Sequence, residues 1–440
     1  MNNLDLGTTY KTEYCVPLWV RDDNIQKAIK RVPTRIQPAQ CRTVPIAVVC
    51  YGPSLNQTWE ELKQYRNIIT GSGSHRFLVQ KGFKPEHFDN WWHIDVDPRP
   101  HKIKLIGPPQ KGVHYLIAST CCPQMFDHLE GMDVSLWHVF DNTEEAIRVL
   151  PRNEWAITGG SNVGLRQMTL ARFMGFRDMH VYGMDGCFGA GGVHAAEHPN
   201  QPPSGKEVEC NGKKFITTEG MLMCAKQTWH ELNQLADVTA TFHGDGLVQE
   251  MAKSYVRESI KDASIIGFIK PDLISAEYRE LNRKLHEQNT AYGVGGDKHS
   301  KVVIELCKLN KTKDVLDYGC GKGRLAKALP FHIQQFDPAI PGRDEEPMPA
   351  DIVVCTDVLE HIEPDKIDSV LADLKRCVRK LGYFVINTGP ALKTLPDGRN
   401  THLIQQGRDW WENKLKKYFT LANNSIIERK PILHIIVAPV

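Results

Sequence analysis

Short apolar runs alternate with segments of helical periodicity along most of the chain, and this alternation restricts the possible folds more than any other feature. In the first half, the apolar runs are 46–50, 67–70, 91–96, 114–120, 133–140, 179–185 and 237–243. In the second half, they are 314–319, 332–337, 350–355, 383–388 and a pair near 425–438. Strands that alternate with helices form parallel βαβ units. We therefore predict an α/β protein with two domains, each a mostly parallel sheet flanked by helices.

Proline and glycine positions suggest where these domains begin and end. Residues 1–40 form an N-terminal arm with one helix, which ends before Pro33. The first domain is predicted at 41–250, a linker at 251–274 and the second domain at 275–440, where Ser275 caps a helix.

Helical periods are clear at three further places. They cover residues 162–174, 217–235 and 367–381, and the last period predicts a helix that ends at Gly382.

The composition excludes several classes of protein. Hydrophobic residues make up 41% and charged residues 24%, which is typical of a globular chain and not of a disordered one. The formal net charge is +2, so no strong field attracts nucleic acid or a membrane surface. We see no leader and no membrane-spanning run, and twelve cysteines without a Cys-x-x-Cys pair suit a reducing compartment. We expect a cytoplasmic protein.

A glycine-rich turn follows the apolar strand at 314–319. The turn holds Gly319, Gly321 and Gly323 after Asp317, and the next strand ends at Asp337, twenty residues further on. Glycines let the backbone approach a ligand closely, and a carboxylate after the second strand can accept both ribose hydroxyls. Taken alone, the turn would also suit a dinucleotide, or serve only strand-to-helix packing.

These motifs, together with residues 351–362, resemble the Rossmann-like S-adenosylmethionine-dependent methyltransferases across roughly 271–440. The resemblance implies that the glycine turn lies under the methionine part of S-adenosylmethionine. It also implies that Asp337 holds the ribose and Asp317 orients the amino-acid end, and we assign Asp357 to the same cofactor site.

The methyl acceptor is less defined by the sequence. Methyltransferases of amino groups in DNA bases usually have an Asn/Asp-Pro-Pro-aromatic motif after strand four, and residues 356–361 lack it, so duplex DNA is disfavoured. The pattern is similar to that of small-molecule and sugar methyltransferases. His361 is a candidate general base because histidine titrates near neutrality, or it only caps a packed helix. Asp397, Arg399 and His402 form a candidate substrate loop, or a surface turn.

Two small-residue turns in the first half suggest a nucleotide site. Gly52, Pro53 and Ser54 follow the first strand, Gly160 and Ser161 precede the helix at 162–174, and Asp185 ends a later strand. Small residues admit a phosphate to backbone N–H groups. We predict one nucleotide cleft formed by these turns.

These turns and the segment 93–97 resemble the 6-hydroxymethylpterin diphosphokinase-like family across roughly 20–250. This family includes motility accessory factors and is similar to bacterial sialyltransferases. The resemblance implies a Rossmann-like domain that binds a nucleotide or nucleotide sugar and transfers a phosphate-linked group. Asp95 and Asp97 either bind Mg²⁺ with that phosphate, raise each other's pKa, or form a solvated strand end.

The segment 186–218 is rich in glycine and proline and is predicted to be an active-site lid. His194 and His198 lie four residues apart in it, between Cys187 and Cys210. A histidine base in this lid is expected from the sialyltransferase-like sites, and a zinc site is the alternative.

We therefore predict a bifunctional transferase, in which nucleotide-dependent group transfer precedes methylation of a small molecule, sugar or modified nucleotide. In the alternative, the first domain is an inactive substrate-binding module. The combination resembles modification proteins of bacteriophages, which would place the protein in the host cytoplasm. The oligomeric state, the nucleotide donor and the acceptor do not follow from the sequence.

Overall fold

The computed structural model describes residues 15–141, 147–196, 204–255, 267–289, 293, 295–421 and 425–439. The chain divides into two compact units. Unit 1 comprises Met1–Leu150 and Glu154–Ile269, and unit 2 comprises Pro151–Asn153 and Lys270–Val440.

Unit 1 is built on a nine-stranded sheet. Its first seven strands are β1 Ile46–Val49, β2 Asn67–Gly71, β3 Asn90–Asp95, β4 Val113–Ala118, β5 Asp133–Val139, β6 Trp155–Ile157 and β7 Asp178–Tyr182. The later strands of the unit are β8 Lys206–Cys210, β9 Lys213–Thr217, β10 Thr239–His243 and β11 Gly267–Ile269. The strand order is β10-β7-β1-β2-β3-β4-β5-β6-β11, and every neighbour pair is parallel except β6 with β11.

The helices of unit 1 connect these strands. They are α1 Leu18–Arg31, α2 Leu55–Thr58, α3 Ser74–Gln80, α4 Ile103–Ile106, α5 Pro123–His128, α6 Val163–Phe173, α7 Glu219–Gln234 and α8 Leu247–Ala252. Short 3₁₀ helices lie at Trp59–Gln64, Pro85–His87 and Pro100–Lys102. Two of the longer helices start where a polar side chain caps them, because Asn162 accepts from Leu165 N at 2.9 Å and Thr218 accepts from Met221 N at 3.2 Å.

The core of unit 1 follows from its central strands. Every residue of β1 and of β2 is buried, as expected for parallel strands covered by helices on both faces. The α/β fold class predicted from the alternating pattern is confirmed.

Two parts of unit 1 differ from the sequence prediction. The segment expected to be a lid without regular structure contains the antiparallel hairpin β8–β9, closed by Asn211 and Gly212. The segment expected to be a linker contributes β11, which pairs with β6. Both were missed because their strands are short or largely polar, and the period-two apolar pattern is weak there.

Unit 2 has a seven-stranded mixed sheet. Its strands are β12 Val315–Tyr318, β13 Gln334–Phe336, β14 Ala350–Thr356, β15 Val378–Asn387, β16 Phe419–Thr420, β17 Ile426–Arg429 and β18 Ile432–Pro439. The order is β13-β12-β14-β15-β18-β16, with β17 paired to β18. The first four strands are parallel, and β18 runs antiparallel to β15, β16 and β17.

The helices of unit 2 are α9 Ala276–Gln288, α10 Ser300–Leu309, α11 Arg324–Ala328, α12 Ile367–Cys377 and α13 Arg408–Leu415, with 3₁₀ helices at Gly295–His299 and Leu359–His361. Ser275 caps α9 by accepting from Tyr278 N at 3.0 Å, as predicted.

Helix α12 is shorter than its apolar period predicts. The helix ends at Cys377, and Val378 already pairs with Ala350 in the sheet. Gly382 therefore lies inside β15, opposite Val437, and does not cap the helix. Sheet pairing of the β-branched Val378 outweighs the helical pattern at this point.

Among the described residues, no helix combines the length and the apolar character that crossing a bilayer requires.

Candidate functional site

Unit 2 has a cavity of about 600 Å³ at the carboxyl ends of its parallel strands. Most residues predicted for this domain line it, namely Asp317, Gly319, Gly321, Asp337, Asp357, His361 and His402. Carboxyl ends of parallel strands meet at one edge of a sheet, and ligands of open α/β sheets bind in that crevice. Folding thus brings together motifs up to 85 residues apart in sequence (402 minus 317).

The Asp337 carboxylate has a fixed orientation just after β13. Its Oδ2 accepts from Gly321 N at 3.0 Å, and its Oδ1 accepts from Ala339 N at 3.0 Å. Each carboxylate oxygen has a second lone pair, so the group can also accept hydrogen bonds from two hydroxyls of a ligand. The position suits the ribose role implied by the resemblance.

Asp317 is buried in β12 beside the same cavity. Burial first and the negative charge of Asp337 second raise the pKa of its carboxyl to about 7. A carboxyl that titrates near neutrality in a cavity is a mark of a functional site.

The glycine turn contributes unequally to the cavity. Gly319 and Gly321 line it and adopt φ values of 78° and 48°, which side chains with a Cβ rarely tolerate. Gly323 does not line it. A Cβ at Gly323 would meet the side chains of Gln335 and Arg343, so this glycine serves packing inside the protein. Its predicted cofactor contact stays a prediction.

Asp357 lies directly after β14 in a left-handed conformation, with φ of 56°. Its Oδ2 accepts from Lys298 Nζ at 2.7 Å, and both residues line the cavity. Aspartate tolerates this conformation better than most residues, and such backbone strain is common at ligand sites. Lys298 was not identified from the sequence.

His361 and His402 lie together, with ring centroids 4.7 Å apart. Burial first and the neighbouring His402 second lower the pKa of His361 to about 4. Our sequence argument for a base, a pKa near neutrality, therefore does not hold in the folded protein. The role of His361 as a base stays a prediction.

The predicted substrate loop reaches the cavity only in part. His402 lines it, whereas Asp397 and Arg399 lie outside and pair with each other at 2.6 Å on an exposed turn. For these two residues the surface-turn alternative agrees with the structure, because both side chains are exposed to solvent and form an ion pair with each other.

Unit 1 has a second cavity, of about 760 Å³. Four residues predicted from the sequence line it, namely Asp95, Asp97, Gly160 and Ser161. So do four basic side chains that we did not single out, namely Arg21, Arg99, Lys102 and Arg166. Asp141 and Glu231 line it as well, so four basic and four acidic side chains face the cavity. The basic side chains can bind an anionic group such as a phosphate.

A further turn at this cavity was missed. Ser72 lines the cavity with φ of 55°, in the turn Gly71-Ser72-Gly73 between β2 and α3. The glycines flanking Ser72 directly after an apolar strand were the available signal, the same kind that identified Gly52.

Asp95 and Asp97 have different surroundings. Asp95 ends β3, and its Oδ1 accepts from Val96 N at 2.7 Å and Asp97 N at 3.0 Å. Burial raises its pKa to about 6. Asp97 lies beyond the strand and pairs with Arg99 at 2.6 Å, which holds its pKa below the usual value despite partial burial. A solvated strand end does not describe the buried Asp95, and the Mg²⁺ site stays a prediction.

The turn Gly52–Ser54 does not line this cavity, and its N–H groups are already used inside the protein. Gly52 N donates to Gly183 O at 2.7 Å, and Ser54 N donates to Asp185 Oδ2 at 2.8 Å. Ser54 Oγ also donates to Asp185 Oδ1 at 2.5 Å. The carboxylate of Asp185 thus occupies the place where we expected a phosphate, and its hydrogen bonds to Ser54 connect the turns that follow β1 and β7. The phosphate role predicted for Gly52, Pro53 and Ser54 is corrected accordingly.

The lid residues are only partly described. His194 stacks on Tyr51 with centroids 5.6 Å apart, and Cys187 is buried, with its Sγ 3.4 Å from Leu247 N. His198 lies outside the described residues. Within the described part of the chain, His194, Cys187 and Cys210 belong to no converging group of metal ligands. The histidine base stays a prediction.

Family models match both units. Residues 22–191 match the family described as 6-hydroxymethylpterin diphosphokinase MptE-like, and residues 297–423 match a methyltransferase domain. Both resemblances predicted from the sequence are confirmed. Unit 2 carries a methyltransferase domain. No curated protein matches the chain.

Several solved structures are similar over part of the chain. The MAf glycosyltransferase from Magnetospirillum magneticum AMB-1 is 19% identical, with 52% of this chain and 38% of that chain covered and a TM-score of 0.38. The 1,6-didemethyltoxoflavin-N1-methyltransferase of Burkholderia thailandensis, with bound S-adenosylhomocysteine, is 15% identical, with 39% and 95% covered and a TM-score of 0.28.

The N-methyltransferase NodS from Bradyrhizobium japonicum WM9, in complex with S-adenosylhomocysteine, is 14% identical, with 38% and 99% covered and a TM-score of 0.27. At TM-scores below 0.5, none of these likenesses bears on function. The chain spans 38% of the length of the glycosyltransferase that it matches.

Proposed function

We propose that unit 2 transfers a methyl group from S-adenosylmethionine to an oxygen or nitrogen of a small molecule, sugar or modified nucleotide. One observation carries the proposal. Asp317 and Asp337, from the ends of neighbouring strands, reach the same cavity as the turn of Gly319 and Gly321, inside the segment that matches a methyltransferase domain. The two carboxylates suit the ammonium and the ribose hydroxyls of this cofactor.

The cofactor supplies a methyl group bound to a positively charged sulfur. The protein would orient the cofactor and the methyl acceptor and would exclude water from the site. Asp337, fixed by two N–H groups, would hold the ribose, and Asp317 would hold the ammonium. Positioning of the acceptor in line with the methyl group would supply most of the rate. The acceptor's proton would leave to His361 or to solvent, and a low pKa makes His361 a weak acceptor.

We further propose that unit 1 binds a nucleotide or nucleotide sugar and transfers its phosphate-linked group, which makes the protein bifunctional. The four basic side chains in the lining of its cavity, beside Asp95 and the turn of Gly160 and Ser161, support this proposal, because they can bind phosphate groups. A binding module without activity would use the same lining, and this alternative remains open. A tether between two sites raises the effective concentration of a shared substrate.

The methyltransferase proposal is tested by calorimetry of S-adenosylhomocysteine binding to the full chain. We expect Asp337→Ala to weaken binding by about 1–3 kcal/mol, because ribose hydroxyls would lose their acceptor. The matched control is Asp365→Ala, an exposed aspartate of the same unit whose nearest ion pair is 3.7 Å long, and it should bind like the wild type. A folded wild type that binds no S-adenosylhomocysteine would contradict the proposal.

A further inference from the structure

Glu360 converges with His361 and His402 in unit 2, and the proposed methyl transfer does not explain why these three side chains form a cluster. One ligand atom from each residue lies within 4.8 Å of the other two, and this is the one such group among the described residues. The first two residues lie in the 3₁₀ helix Leu359–His361, directly after β14 and Asp357. His402 comes from the loop before α13, and its ring stands edge-on to that of His361 at 86°.

Each of the two histidines is hydrogen-bonded through its Nδ1 atom to a different backbone carbonyl. Nδ1 of His361 is 2.7 Å from Thr401 O, and Nδ1 of His402 is 2.6 Å from Gly389 O. A carbonyl only accepts hydrogen bonds, so each Nδ1 carries the proton and the lone pair of each neutral ring is on Nε2. Histidines that ligate metals are oriented by this same kind of contact on the other nitrogen.

Glu360 is fully buried, and its carboxylate is only half satisfied. Oε1 accepts from Asn387 N at 2.9 Å, whereas Oε2 has no hydrogen-bond partner in the described part of the structure. A buried carboxylate oxygen without a partner is costly, and a cation bound to it would remove that cost.

We propose that Glu360, His361 and His402 bind one divalent transition-metal ion, of which Zn²⁺ is the reference case. Two imidazoles and one carboxylate are a donor set found for zinc and other transition metals, whereas Mg²⁺ prefers oxygen ligands alone. Both histidines line the cavity of unit 2. Three protein ligands leave at least one coordination position for an oxygen or nitrogen of the methyl acceptor, and this last role rests on the proposed function.

The test uses the full chain, freed of metal by a chelator and titrated with Zn²⁺ or Co²⁺ in a calorimeter. Co²⁺ binding is also followed by its visible absorption, which reports nitrogen and oxygen ligands. We expect one equivalent per chain, weakened at least tenfold in Glu360→Gln and in His402→Gln, because each removes a ligand. Mg²⁺ should not displace the bound Co²⁺.

The chain has 18 histidines, so a matched control is needed. His332→Gln changes an exposed histidine of the same unit and should bind Co²⁺ like the wild type. The proposal is overturned if the wild type binds neither metal, or if both site variants bind as it does. Circular dichroism checks that each variant folds. If Glu360→Gln does not fold, metal binding by His402→Gln decides whether the proposal holds. Binding of S-adenosylhomocysteine to the metal-free wild type tests the proposed function separately.

Discussion

At the scale of single residues, Asp317 should make cofactor binding depend on pH. Its pKa is raised to about 7 by burial first and by the charge of Asp337 second. If the carboxylate holds the cofactor's ammonium, binding needs the ionised form. Below pH 7 most of the carboxyl is protonated and must lose its proton before it can bind. Affinity for S-adenosylhomocysteine should therefore rise roughly fivefold to tenfold between pH 6 and pH 7.5.

The isosteric change Asp317→Asn removes the titrating group and should leave weaker binding that is flat over the same pH range. Calorimetry at four or five pH values measures both slopes, and Asp365→Asn should keep the slope of the wild type. An unchanged slope in Asp317→Asn would assign the pH dependence to another group.

At the scale of elements, several strands predicted from apolar runs are almost fully buried. Strands β1, β2, β12 and β14 coincide with runs of valine, isoleucine and leucine, so pattern and packing agree. The three-residue strands β6 and β11 carry too few residues to show a period. Their existence depends on pairing between segments about 110 residues apart (267 minus 157), which no local pattern encodes.

The candidate sites show the same division between local and long-range information. The positions of Asp317, Asp337 and Asp95 were predictable, because each lies at or next to the carboxyl end of a strand and these ends meet at one edge of a sheet. The bond from Ser54 to Asp185 was not, because it joins residues 131 apart and consumes the N–H group we assigned to a phosphate. The approach of Glu360 to His402 likewise depends on how a long loop folds back.

The hairpin β8–β9 leads to a prediction about its turn. Asn211 and Gly212 adopt φ values of 50° and 77°, which suits a tight two-residue hairpin turn. Gly212→Ala meets no atom within 4 Å but forces alanine into the left-handed region, at a cost of about 1 kcal/mol. We expect faster hydrogen exchange in both hairpin strands, measured by mass spectrometry.

Gly220→Ala is the matched control for this change. Gly220 lies in the first turn of α7, has no positive φ and also leaves open space for a methyl group. Alanine there should leave hairpin exchange unchanged and slightly stabilise the helix. Equal exchange in both variants would show that the turn conformation does not limit the hairpin's stability.

At the scale of the whole molecule, the chain contains two units, each with its own buried core and its own cavity. Their linings differ, because four basic and four acidic side chains line the cavity of unit 1, whereas three aspartates and two lysines line that of unit 2 beside the glycine turn. Ligands of different chemistry are therefore expected, and a ligand for one unit should leave affinity at the other unchanged.

The final prediction separates a bifunctional enzyme from a methyltransferase with a binding module. The full chain is incubated with Mg²⁺ and ATP, CTP or a nucleotide sugar, and release of the nucleotide product is followed by chromatography. A bifunctional protein should release product. The double change Asp95→Asn with Asp97→Asn should reduce this release at least 100-fold, because the two carboxylates would no longer hold the Mg²⁺ that binds the phosphates. Affinity for S-adenosylhomocysteine should stay the same.

Asp89→Asn is the matched control, since this exposed residue lies just before the amino end of the same strand β3 and pairs only with Arg66 among the described ion pairs. A donor at 100 times its dissociation constant adds about 2.7 kcal/mol to stability. A rise in melting temperature without any product release, in wild type and control alike, would favour the binding module.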